Sequence, residues 1–261
     1  DLARWEGELG AGITVERLRN KLQPWGMTSA MEDLVLITWA LLGNYDFGNT
    51  GTLTIGGFKD GAAPRRADLP SEDDWATAKA RAGKIFGLTP EPNRTARSVT
   101  RFAAAIRGEA SASKAAELLS QLEAHTDVLG LDAEQLTGRF ATVRRLSELN
   151  RQLMQATGDA TVIETLASFD LPSDVTSFGC TQVTADHTAH KLNGLDWEII
   201  TNAMRRNDSK FDELIEALRE TARLDESIAT LAPQLQTVAD DARVLMMPAT
   251  PTANPQPVPE A

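Results

Sequence analysis

The chain has 261 residues, with 26 Lys+Arg against 37 Asp+Glu and a formal net charge of −11. That length buries a full core as one large domain or two small ones, and 42% apolar with 24% charged residues excludes a disordered polyelectrolyte. One cysteine excludes a disulfide scaffold and a Cys-rich zinc module, and the acidic balance argues against a broad nucleic-acid surface.

The first residues, from Asp1, carry neither a basic n-region nor an apolar h-region, so no signal peptide is predicted and the start reads as a cut inside a longer protein. No apolar run approaches the length of a membrane span; the longest, Leu34 to Leu42, is interrupted by Thr38. A cytoplasmic location without membrane contact is the expectation.

Val15, Leu18 and Leu22 mark a short amphipathic segment ending before Pro24. In GMTSAMEDLVLITWALLGN, Thr28 or Ser29 can cap, and Glu32 and Asp33 suit the first turn of a helix. Leu34, Val35, Leu36, Ile37, Trp39, Leu41 and Leu42 are apolar nearly all round, which predicts burial on most sides; Gly43–Asn44 supplies the stop. Tyr45 to Leu69 is the least helical region, and Thr52 to Ile55 is predicted as one arm of a small hairpin.

LPSEDDWATAKARAGKIFG reads as a helix with Ser71 and Asp74 as a capping box, an apolar stripe of Trp75, Ala78, Ala82, Ile85 and Phe86, and Gly87 as its end. Helices follow over Asn93 to Arg107, from Ser111 or Ser113, and over Asp132 to Thr157, the longest, with a stripe that includes Leu136 and Leu146. Asp159 starts a short one through Leu166. Ser173 to Leu192 is ambiguous because Phe178–Gly179–Cys180–Thr181 weakens the pattern. Leu195 to Met204 and Ser209 to Arg223 are helical, and Asp225 to Met246 splits in two with Pro233 starting the second part. The last stretch, Pro248 to Ala261, has linker composition. The sum is an all-α array of about ten helices with at most one small β-hairpin near residues 45–58. It divides into a helical unit at 1–110, winged-helix-like in outline, a bundle at 111–247 and a flexible tail at 248–261.

No catalytic, cofactor or metal site is predicted. The glycine-rich stretch around Lys59 lacks the GxxxxGK[ST] ending that a phosphate loop requires. Cys180, His187 and His190 share a helix face if the helix is continuous, with Asp186 about 100° away, but no fourth ligand is in view. Ser177, Cys180 and His187 lack the turn that activates a nucleophile. Met27, Met31, Met154, Met204 and Met246 are read as core. Arg65/Arg66, Arg144/Arg145 and Arg205/Arg206, with Arg139 and Arg151, are candidates for a local basic patch that contacts DNA.

GMTSAMEDLVLITWAL, LPSEDDWATAKARAGKIFG, the Arg- and Leu-rich long helix, TVIETLASF and LDWEII together resemble the C-terminal helical region of the PglY-type ATPases of phage growth limitation and BREX phage-defence systems. The resemblance runs over most of Trp25 to Met246. It implies that nucleotide is held by a P-loop module elsewhere in such a protein, and no ATPase residue carries over onto this chain. The resulting expectation is a non-catalytic module that holds other phage-defence proteins or other domains of the same chain. Trp39, Trp75, Phe86 and Trp197 would anchor its core or a groove. A DNA-contacting winged-helix module is the alternative.

Overall fold

A computed structural model describes Arg4 and residues 12–47, 53–132, 134–172 and 174–247. The N-terminal start and the Pro-rich tail at 248–261 lie outside the described residues. The fold is all-α, as the sequence predicts. Among the described residues its helices of eight or more residues are α1 (Val15–Leu22), α2 (Ser29–Gly43), α3 (Glu72–Phe86), α4 (Ala96–Ala112), α5 (Ala115–Ala124), α6 (Gly138–Gln155), α7 (Asp159–Ser168), α8 (Thr176–Asn193), α9 (Trp197–Met204), α10 (Ser209–Arg223) and α11 (Leu231–Met246).

The chain forms two compact units. One takes residues 1–111 and 151–170; the other takes 112–150 and 171–261, so the division falls inside α6 between Asn150 and Arg151.

In the first unit α1 and α2 close over Val15, Leu18, Leu36, Trp39, Phe47 and Phe58. Trp39 stacks on Tyr45 with ring centroids 4.4 Å apart, and Phe47 meets Phe58 edge-on at 4.9 Å. The buried carboxylate of Asp33 is satisfied twice: the Arg19 guanidinium donates to it at 2.7 Å and the Gly56 N–H at 2.7 Å. A charge at that depth requires such partners. The α3 cap is the predicted box, with the Asp74 N–H donating to Ser71 Oγ at 3.0 Å, and Gly87 ends the helix at φ 67°. α3 packs against α7, and Arg81 donates to the Leu166 and Phe169 carbonyls at the α7 C-terminus.

The predicted hairpin takes a different form. Leu53 and Thr54 have no regular structure, Ile55 lies in a turn, and Thr52 is outside the described residues. The ladder instead joins β1 (Tyr45–Asp46) to β2 (Arg65–Arg66), antiparallel, with Tyr45 opposite Arg66.

In the second unit α5, α6, α8, α9, α10 and α11 contribute to one apolar core that includes Leu118, Phe140, Leu192, Ile215, Leu218 and Leu235. α8 is continuous through Gly179 and Cys180, which resolves the ambiguous stretch. α6 begins at Gly138, later than the predicted Asp132, and Leu136 is exposed ahead of it. Gly138 sits there at φ 79°, and a Cβ would collide with the Arg223 carbonyl oxygen, far away in sequence. Next to it, Arg139 is buried and ion-paired with buried Glu226, and it also donates to the Thr221 and Ala229 carbonyls. Burial pulls its guanidinium down to about 10, opposed by Asp225, so it stays charged at neutral pH.

Candidate interaction surface

The outer face of α2 is the largest departure from the sequence reading. Expected to be buried on most sides, the helix buries one face only, through Asp33, Leu36, Trp39 and Ala40. Met31, Leu34, Leu41 and Leu42 remain 55%, 56%, 47% and 74% exposed. At about 100° per residue these four and Thr38 fall within an arc of roughly 100°, opposite the buried face. Trp25, just ahead of the helix, is 63% exposed. Scattered surface leucines are ordinary, but an apolar stripe along one helix face marks an interaction site.

The stripe runs into a cleft of about 730 Å³ at the C-terminal end of α2. Leu41 belongs to both, and the cleft is also lined by Tyr45, Leu53, Arg97, Arg101 and Thr161. Asn44 sets its edge. In the left-handed region at φ 54°, it ends α2, and its Oδ1 accepts the Ala96 N–H at the start of α4.

Both signs of charge line the cleft, as Arg97, Arg101, Asp68 and Asp159. Arg65, Arg66 and Arg97 are exposed, with no hydrogen bond or ion pair from their side chains among the described residues. Of the acids that line the cleft, Asp159 is paired with Arg107. Asp68, also at the cleft, is the exposed exception.

Trp39, Trp75 and Phe86 are buried, and Trp75 meets Phe102 edge-on at 5.3 Å. Half-buried Trp197 stacks on His125 at 3.9 Å. Cys180, His187, His190 and Asp186 lie on α8 with both histidines exposed, and no group of three or more His, Cys, Asp or Glu that could hold a metal occurs among the described residues.

Met204 and Met246 pack against the core of the second unit, but Met31 and Met154 are exposed, against the core reading. Arg139 is buried, Arg144 lies over the Phe140 ring at 4.8 Å, Arg151 donates to Gln155 and Arg206 donates to the Leu245 carbonyl. Met31, Leu34, Leu41 and Leu42 were visible in the sequence as apolar residues, but nothing there marked them as the open face.

The arrangement is that of an all-α helical domain. Residues 79–251 match the family described as the BREX System ATPase PglY protein 6th domain, and the chain belongs to that family. It is thus a domain of the PglY ATPase of BREX phage defence. α1, α2 and the β1–β2 ladder precede the matched span. No solved structure matches the chain, and no helix among the described residues is long and apolar enough to cross a membrane.

Proposed function

We propose that this domain is a non-catalytic protein-interaction module of the PglY ATPase, working in the cytoplasm, and that the outer face of α2 is where it engages. The observation that carries the reading is the row of large apolar side chains left uncovered on one face of a helix whose other face is core. Covering a leucine of this kind contributes about 1.5–3 kcal/mol, so a few of them are enough to anchor a partner helix.

The test is Leu34→Ser with Leu42→Ser in the full PglY chain. Phage restriction falls while the far-UV circular dichroism and thermal midpoint of the domain hold. Unchanged restriction sinks the proposal. ATP hydrolysis by the isolated domain above that of a heat-inactivated control would overturn its non-catalytic part.

A further inference from the structure

We propose that Asp60–Gly61 is a self-modification site, at which the chain converts Asp60 into isoaspartate through a succinimide, and that the conversion loosens α1.

The sequence supplies the chemistry. Asp60–Gly61 is the one Asp–Gly step in the chain. The amide nitrogen after an aspartate is placed to close a five-membered ring on that aspartate's Cγ, and glycine hinders the closure least. Here the Gly61 nitrogen bonds to Cγ of the Asp60 carboxylic acid. The C–OH bond breaks, and the hydroxyl leaves as water with the amide proton. Water then adds to one of the two ring carbonyls. Attack at Cγ restores aspartate. Attack at the Asp60 main-chain carbon breaks its bond to nitrogen and routes the backbone through Cβ and Cγ. One water is released, one is consumed, and nothing is oxidised or reduced.

The structure supplies the access. The Ala62 N–H donates to the Lys59 carbonyl at 2.9 Å, so Asp60 and Gly61 are the central residues of a tight turn. The Asp60 side chain is 64% exposed. The Gly61 N–H makes no hydrogen bond among the described residues. A Cβ on Gly61 would meet nothing within 4 Å, so the ring has room. Arg19 pairs with the Asp60 carboxylate but also with buried Asp33, at 2.7 Å, so its charge keeps a partner when Asp60 lets go.

Asn193–Gly194 is the contrast. It is the one Asn–Gly step in the chain and closes the same ring, with ammonia leaving in place of water. There the Gly194 N–H caps α8, donating to the His190 carbonyl at 3.0 Å and to that of Lys191 at 3.2 Å. Attack by this nitrogen requires the helix end to open first.

The same turn anchors α1. The first amides of a helix have no partner within it. In α1 the Val15 N–H donates to the Ala62 carbonyl at 2.9 Å and the Glu16 N–H to the Asp60 carbonyl at 3.0 Å. In isoaspartate the carbonyl that serves Glu16 becomes a free carboxylate, and the chain from Asp60 Cα to Ala62 gains a methylene. The two acceptors no longer keep the spacing of the two amides, and the carboxylate leaves its place beside Arg19.

The experiment ages the full PglY chain at neutral pH, folded and in urea. Peptides are then mapped by mass spectrometry with fragmentation that distinguishes isoaspartate from aspartate. Isoaspartate accumulates at residue 60 of the folded chain. Folding slows the reaction at Asn193 about tenfold more than it slows the reaction at Asp60. Gly61→Ala has room for its Cβ and lies outside the left-handed region, so it folds, and it slows the accumulation about tenfold. Hydrogen exchange over residues 14–22 becomes about tenfold faster in the isomerised fraction, and it stays constant on ageing in Gly61→Ala.

An Asp60 that persists in the folded chain while it isomerises in urea overturns the site. Equal slowing at Asp60 and Asn193 overturns the part given to the turn. Isoaspartate at residue 60 with unchanged exchange over residues 14–22 overturns the link to α1.

Discussion

Asn44 and Ala96 are joined by one hydrogen bond, from the Ala96 N–H to Asn44 Oδ1 at 3.3 Å, and it ties the end of α2 to the start of α4. Asn44 does two things, since its left-handed backbone also stops α2. Asn44→Gly keeps the backbone and loses the bond, at about 1 kcal/mol. Asn44→Ala loses the bond and strains the backbone, at about 2–3 kcal/mol in total. Urea denaturation of the two variants checks the order; equal losses would mean that the left-handed conformation carries no cost here.

The two faces of α2 respond in opposite ways. Leu36→Ala empties a buried site and costs about 2–5 kcal/mol. Leu42→Ser on the open face changes stability by about 0.5 kcal/mol or less. Comparable urea midpoints for the two variants would contradict the burial of the helix.

Gly138 tolerates no side chain. Its positive φ strains any L-residue, and a Cβ meets the Arg223 carbonyl oxygen. Gly138→Ala therefore costs about 2–4 kcal/mol and disturbs the neighbouring Arg139. Removing the partner of that arginine, as Glu226→Ala, leaves a buried guanidinium without its carboxylate and costs about 3–5 kcal/mol. A thermal midpoint unchanged by Glu226→Ala would show that the ion pair is dispensable.

His125 makes the fold sensitive to mild acid. Burial lowers its affinity for a proton below that of an unfolded histidine. The unfolded chain thus binds the proton first as pH falls below about 6.5. The contribution is fully present above that pH, declines as pH falls toward the folded-state value, and levels off below it. His125→Gln removes this part of the pH dependence. Thermal midpoints of both proteins between pH 7.5 and 5 test it, and parallel curves would refute it.

Most helices were legible because their punctuation is chemical. Ser71 with Asp74, Gly87, Asn44 and the stripe from Trp75 to Phe86 each satisfy a local rule, and each appears where the rule puts it. α8 was obscured because Gly179 weakens the local signal. Burial of Phe178, Thr181, Ala185, Ala189 and Leu192 outweighs a glycine cost of about 1 kcal/mol. The late start of α6 depends on the Arg223 carbonyl, which is remote in sequence and has no local mark.

The open face of α2 was hidden for another reason. A helix apolar all round has no periodic signal to say which side is core, and only the tertiary partners of Leu36, Trp39 and Ala40 decide it. The setting of Arg66 was similarly out of reach. Arg65 and Arg66 were visible as a pair, but the ladder that brings Arg66 opposite Tyr45 was not.

The bonds from Arg81 to the carbonyls of Leu166 and Phe169 span 85 and 88 residues of chain. A ribosome adding about 5–20 residues per second delivers that segment roughly 4 to 17 seconds after Arg81. During that interval α3 waits without α7, and all of α4, α5 and α6 is made in between. The first unit is therefore finished only after the second has begun to appear, and synthesis order runs against assembly order.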